Sequence, residues 1–128
     1  MLFIFEMANN HQGSVLHGKK IIDVFSSLSK KYKIESAVKL QFRHLDSFIH
    51  KDFKGTDVKH IKRFEGTKLD NEQFRELVNH IKNSGLKTAV TPFDNASLDL
   101  IEELGIDIVK IASCSADDWP LLKEAAKM

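Results

Sequence analysis

Four strand-length apolar runs recur along the chain, and each gives way to a stretch in which apolar residues return at helical spacing. Leu2–Met7 reads as a buried strand. Val15, Leu16, Ile21, Ile22, Phe25 and Leu28 then repeat as one face of a helix over Val15–Leu28, with Ser14 as its N-cap just after Gly13. Ser36–Phe42 reads as a second strand, with apolar Ala37, Val38, Leu40 and Phe42. A long connection follows from Arg43 to about Asp70. Asp70, with Gln73 three residues on, forms a capping-box pattern for a helix carrying Phe74, Leu77, Val78 and Ile81. Asn83-Ser84-Gly85 closes that helix. Leu86–Val90 is the third strand, Ala96–Leu104 the third helix, ending at Gly105, and Ile106–Ile111 the fourth strand. Asp117 or Asp118 caps a fourth helix with Pro120 in its first turn, where its missing N–H costs nothing.

The pattern is βα repeated four times in one domain, residues 1–128, without a linker or low-complexity segment. It predicts an α/β fold of TIM-barrel type with four βα units. A complete eight-unit barrel needs about 250 residues, so the chain reads as a half or truncated barrel, with a small open α/β sheet as the competing architecture. The half-barrel is favoured because four polar motifs, described below, all fall at the same end of their strands. The segment Arg43–Asp70 would then lie over the barrel mouth as a substrate lid, with Asp57–Phe64 as a short amphipathic helix.

Charge and composition narrow the function classes. The formal net charge is +1, with 42% hydrophobic and 29% charged residues, so no global field draws in nucleic acid or an anionic membrane. Basic residues of the long connection, such as Arg43, Lys51, Lys59 and Arg63, are interrupted by Asp46, Asp52, Asp57, Glu65 and Asp70, which spoils a nucleic-acid patch. The apolar runs are too short to span a bilayer, and Met1–Phe5 runs straight into Glu6 without the features of a signal peptide. Cys114 is the single cysteine and reads as a small residue packed near a strand end. These features fit a reducing cytoplasm.

The strand ends carry the candidate chemistry. Glu6 ends strand one, where a carboxylate could bond a sugar hydroxyl or move a proton. Asn10 and His11 follow in a turn fixed by Gly13. Lys39 and Gln41 share one face of strand two, because alternate residues point the same way. An inward ammonium there must meet an anion. Thr91 and Asp94 flank Pro92-Phe93 after strand three, and Lys110 and Ser113 end strand four. Two lysines and several hydroxyls at one mouth suit a phosphate or carboxylate ligand. Taken singly, each has a plainer reading: a strand-end lysine is often solvated, Glu6 could pair with Lys39 or Lys110, and His11 could be an ordinary turn histidine. His17 and His80 read as helix-surface residues and His44, His50 and His60 as loop residues. None has metal-ligand spacing.

The motifs Glu6-x-x-x-Asn10-His11-x-Gly13, Lys39-Leu40-Gln41, Thr91-Pro92-Phe93 and Lys110-Ile111-Ala112-Ser113 together resemble the sialic acid synthase (N-acetylneuraminate synthase) family. The similarity covers nearly the whole chain and the first half of that family's catalytic barrel. It implies condensation of phosphoenolpyruvate with the open-chain aldehyde of an N-acetylated sugar such as N-acetylmannosamine, with release of phosphate. It also implies a divalent metal, manganese or magnesium, whose histidine ligands lie on later strands outside this chain. By resemblance, Lys39, Thr91, Lys110 and Ser113 hold phosphoenolpyruvate, while Glu6 and Gln41 face the sugar and Glu6 transfers a proton.

The chain departs from the family at Cys114-Ser115, where Gly-Glu is usual, and carries Arg43 just after Gln41-Phe42. Both departures bear on the acceptor sugar. With the later strands outside it, the chain is expected to be an incomplete part of the enzyme and inactive alone. Two other functions fit the residues: a Schiff-base aldolase using Lys110 or Lys39, and a non-catalytic half-barrel that binds an anion or associates through its open edges, as in a homo-oligomer.

Overall fold

A computed structural model describes all residues from Met1 to Met128. Strands β1 (Leu2–Ala8), β2 (Glu35–Phe42), β3 (Lys87–Pro92) and β4 (Ile108–Val109) form one parallel sheet in the order β1-β2-β3-β4. Six helices accompany them: α1 (Val15–Tyr32), α2 (Leu45–Phe48), α3 (Lys59–Gly66), α4 (Asn71–Asn83), α5 (Asn95–Leu104) and α6 (Trp119–Ala125). None is long and apolar enough to cross a membrane. A parallel sheet in chain order needs a crossover after every strand, and right-handed crossovers put all the connecting helices on one face. Accordingly α1 packs on β1 and β2, α4 and α5 pack on β3, and neighbouring helices pack side by side.

The core lies between these two layers. Met7, Val38, Leu40, Phe42 and Val90 from the sheet meet Ile22 of α1, Phe74, Leu77, Val78 and Ile81 of α4, and Leu98 and Ile101 of α5. Phe5 stacks on Phe25 of α1 with ring centroids 4.6 Å apart, and Phe42 meets Phe74 at 4.3 Å. Phe5, Met7, Val38, Leu40, Phe42 and Val90 therefore face the helices. By strand alternation, Leu2, Ile4, Glu6, Ala37, Lys39, Gln41, Ala89 and Thr91 face the other way.

The helices begin and end as their sequences require. Asp70 accepts from Gln73 N at 2.8 Å while Gln73 Oε1 accepts from Asp70 N at 2.9 Å, completing the capping box. Asp118 caps α6, with Pro120 in the first turn. Helix α1 runs four residues past Leu28, to Tyr32, where Lys33 ends it in the left-handed region at φ 50°. Apolar periodicity fades over that polar last turn although the backbone bonds continue. The long connection holds α2, a 3-10 turn at Lys51–Phe53, and α3, shifted two residues from the expected Asp57–Phe64.

Two strands differ from the sequence reading. β1 is not a buried strand at its start: Leu2, Phe3 and Ile4 are 38%, 43% and 45% exposed. It lies at the sheet edge with β2 as its one neighbour, and Leu2 and Ile4 are on the face turned away from the helices. β4 is two residues long rather than Ile106–Ile111. Gly105 and the bond from Ile106 N to Ile101 O belong to the close of α5. Asp107 then meets β3 through its side chain, its Oδ2 accepting from Thr88 N and Thr88 Oγ1, both at 2.8 Å. The bonds from the Thr88 amide and then its hydroxyl hold the Asp107 carboxyl below the usual aspartate range.

The β1–α1 turn is built around His11, which is buried. Its Nδ1 accepts from Gly13 N at 3.1 Å, so the ring is neutral at that nitrogen and locks the turn. Burial, with a smaller contribution from His17, lowers the His11 pKa from 6.5 to about 4. Gly18, in the first turns of α1, lets Leu77 of α4 and His11 approach. A Cβ there would meet Leu77 Cδ2 at 2.8 Å and His11 Cβ at 3.3 Å.

Two outcomes follow from this turn. Gly18→Ala gains up to about 1 kcal/mol of helix propensity, but it pushes on a fully buried Leu77, and overpacking costs about 1–3 kcal/mol. Packing wins, and chemical denaturation should show a net loss. His11 is held neutral when folded and protonates at about pH 6.5 when unfolded, so the unfolded state binds more protons between pH 6.5 and 4. Stability should be full above pH 6.5 and fall by up to about 3 kcal/mol toward pH 4. Urea midpoints at pH 7 and 4.5 would show the loss, and His11→Asn should flatten it.

Candidate active site

The register of the sheet brings the strand-end residues together. Glu6 is level with Lys39, and Gln41 is level with Thr91, with one pairing of β2 and β3 between them. Glu6, Lys39, Gln41 and Thr91 thus share the face turned away from the helices, toward the carboxyl ends of their strands. Lys39 is 5% exposed, yet its ammonium is not isolated. Its Nζ lies 2.9 Å from Glu6 Oε1 and donates to Thr91 Oγ1 at 3.2 Å. An ammonium has three N–H groups. One is donated to Thr91 and Glu6 balances the charge, which leaves the ammonium donor capacity for a ligand.

The Glu6 side chain is 58% exposed, so its second oxygen is open to solvent. A register shift between Glu6 and Ala8, with Ala8 at φ 50°, turns the chain at this point. Such a bulge re-aims the side chain before it. The result is a buried cation, a half-open carboxylate and a hydroxyl within bonding distance, which can bind an anion and move a proton beside it.

The other expected residues fall into two groups. Lys110 continues the β4 edge, where its N donates to Val90 O at 2.9 Å, and its side chain is exposed. Ser113 begins a 3-10 turn and is also exposed. Asn10 lines an open groove of about 500 Å³ with Gln12, Gln41, Arg63 and Thr67, and its Nδ2 donates to Met7 O at 2.8 Å. His11 borders a cavity of about 20 Å³ below that groove, shared with Asn9, Gln41 and Arg43. Asp94 stands apart from the substrate contacts expected of it. Its Oδ1 accepts from Ser97 N and Oγ at 2.8 Å, capping α5, and its Oδ2 accepts from His44 N at 2.7 Å. Both oxygens are committed to holding two loops.

The sequence marks Arg43 as the first residue of the long connection and as a departure bearing on the acceptor sugar, but not its surroundings. Its guanidinium lies 3.9 Å from the ring centre of Phe93, 4.4 Å from that of Phe64 and 5.8 Å from that of Phe48. Burial, and then the charge of Arg63, lower its pKa to about 10, which leaves it charged at neutral pH. The one available signal was its position, two residues beyond Gln41 at the end of β2. No three His, Cys, Asp or Glu side chains converge to hold a metal ion. These residues do not by themselves fit the metal that the resemblance implies.

The chain is 30% identical over 137 residues to the N,N'-diacetyllegionaminic acid synthase of Campylobacter jejuni, covering 99% of this chain and 39% of that protein. It is 29% identical over 130 residues to the N-acetylneuraminate-9-phosphate synthase of Drosophila melanogaster, covering 98% of this chain and 34% of that one. The chain thus spans little more than a third of the length of these relatives. Among solved structures, a Chromobacterium violaceum protein assigned to spore coat polysaccharide biosynthesis superposes with a TM-score of 0.95 at 52% identity, covering 99% of this chain and 38% of its own. The sialic acid synthetase of Leptospira borgpetersenii, in complex with citrate, does so with a TM-score of 0.78 at 25% identity, covering 98% and 40%. A family model, described as the NeuB family, matches residues 29–128. This chain therefore belongs to the NeuB family, that of the sialic acid synthases.

Proposed function

We propose that the four βα units form part of a (β/α)8 barrel that condenses phosphoenolpyruvate with an N-acetylated amino sugar, giving a nonulosonate of the sialic acid type and phosphate. The observation that carries this reading is the buried Lys39 ammonium, held between Glu6 and Thr91 at the carboxyl end of a parallel sheet. Active sites of barrels lie at that end. The names of the synthases among the relatives support the same reading.

In this reading, Lys39 and Thr91 bind the carboxylate or phosphate of phosphoenolpyruvate, with Lys110 and Ser113 closing in from β4. Gln41 and Asn10 orient the sugar, and Glu6, ionised beside Lys39, takes the proton released by the water that adds to C2 and passes it to the oxygen left charged on the former aldehyde carbon. The enol C3 forms the new bond to the aldehyde carbon. Water then adds to the cationic C2, and the C2–O bond to phosphate breaks, leaving the keto group. A divalent metal belongs to the expectation drawn from the resemblance. Because no three potential ligands converge in this chain, none of these steps is routed through it. The remaining barrel strands and any partner subunit would supply further groups.

Calorimetric titration with phosphoenolpyruvate tests the proposal. Saturable binding is expected, weakened by about tenfold or more in both Lys39→Ala and Lys110→Ala, since each removes a charge-assisted contact. Unaltered affinity in both variants would remove the anion site from these strand ends. Borohydride treatment with a keto or aldehyde substrate should leave the chain's mass unchanged. A covalent adduct at Lys39 or Lys110 would instead establish the Schiff-base aldolase.

A further inference from the structure

His11 and Arg43 each bring an unpaired nitrogen to the same small cavity. His11 is 1% exposed, and the one hydrogen bond its ring makes is at Nδ1, from the amide of Gly13. A neutral imidazole that accepts at Nδ1 carries its hydrogen at Nε2, so the free nitrogen is a donor. Arg43 Nε is buried and also without a partner. Two buried donors left unmet are costly and call for an explanation.

Size and chemistry decide what meets them. The cavity has about 20 Å³, room for one water, which needs about 10–15 Å³, and too little for a polyatomic anion. Lys68, the other cation on its wall, is exposed, so solvent meets its ammonium. A water that accepts from His11 Nε2 and Arg43 Nε fills both lone pairs and has two hydrogens to donate. The side-chain acceptors on the wall belong to Asn9, Gln41 and Thr67. The Thr67 hydroxyl already donates to Arg63 O at 2.8 Å and has lone pairs to offer.

Gln41 stands in the partition between two spaces. With Asn9 and Thr67 it lines this cavity and also the open groove of about 500 Å³ above it. Its amide has an acceptor end and a donor end. Toward a water whose lone pairs are filled, the acceptor end is favoured, because an inward NH2 would add a third donor with nothing to receive it.

We infer that His11 and Arg43 hold one ordered water between the β1–α1 turn and the end of β2, and that this water fixes the Gln41 amide with its oxygen inward and its NH2 toward the groove. His11 and Arg43 are then positioning residues that act on a ligand through Gln41. A ligand in the groove meets two N–H donors there and must offer oxygen lone pairs, as a hydroxyl or a carbonyl does. The role toward a sugar rests on the condensation proposed above; the water and the orientation of the amide do not.

Nuclear magnetic resonance of the ligand-free, nitrogen-labelled chain tests it. The His11 ring should carry hydrogen at Nε2 and not at Nδ1, with a cross-peak from that hydrogen to a bound water. The Gln41 side-chain amide should be as ordered as rigid backbone, with an order parameter of about 0.85. His11→Asn keeps an oxygen for the Gly13 amide but is too short to reach the cavity, and Arg43→Met keeps an apolar stem without the Nε donor. In each, the Gln41 order parameter should fall below about 0.6, while the backbone of Asn9–Gly13 stays ordered. A His11 that only locks its turn would leave the Gln41 amide unmoved. Hydrogen at Nδ1, no bound water at His11, or a Gln41 amide that keeps its order in Arg43→Met would each overturn the inference. So would unchanged order in His11→Asn. Arg43→Met lies outside the turn, so it decides the matter if His11→Asn disorders the turn itself. No ligand is added, so loss of phosphoenolpyruvate binding and loss of the water appear in separate experiments.

Discussion

The parallel pairing of β1, β2 and β3 sets where every functional group stands. Because the sheet runs in chain order, each strand delivers its carboxyl end to the same rim. Because side chains alternate, a one-residue slip would turn Lys39 into the helix layer and Leu40 out of it. The apolar residues facing α1, α4 and α5 therefore hold the ammonium in place as firmly as its own contacts with Glu6 and Thr91 do. Core and site are two faces of one register.

That dependence explains why the alternation along β2 is so strict. Val38, Leu40 and Phe42 enter the core while Lys39 and Gln41 turn away from it. Burying an ammonium costs several kcal/mol if it stands alone. Glu6 and Thr91 offset that cost from the neighbouring strands, so the three residues are linked through pairing rather than sequence proximity. The bulge after Glu6 belongs to the same arrangement, since it frees the carboxylate from strict strand geometry.

Much of this was legible in the residues. Four apolar runs, the Asp70–Gln73 capping box and the motifs at the strand ends gave the order of elements and the shared rim. The illegible parts have physical reasons. Exposure of Leu2, Phe3 and Ile4 depends on which strands neighbour β1, and an apolar run reads the same at an edge as in the middle. The shortness of β4 comes from Asp107 and Thr88 exchanging side-chain bonds, which no periodicity displays. Asp94 looked like a ligand because strand-end acids often are; its position three residues before Ser97 was equally a cap signal. The cage around Arg43 joins Phe48, Phe64 and Phe93, from segments far apart in sequence, so it emerges only when the chain is folded.

The bond from His44 to Asp94 has an architectural consequence. It ties the start of the excursion between β2 and α4 to the N-cap of α5, while the capping box at Asp70 fixes where the excursion ends and α4 begins. What lies between is closed at its base like a stitched pleat. Lengthening such a closed segment is cheap, about 0.6 kcal/mol for each doubling, and no strand pairing has to shift. The rim can therefore be reshaped around a new guest by insertions near Lys54–Val58, on the exposed side of the pleat, while the ladder that carries Lys39 keeps its alignment.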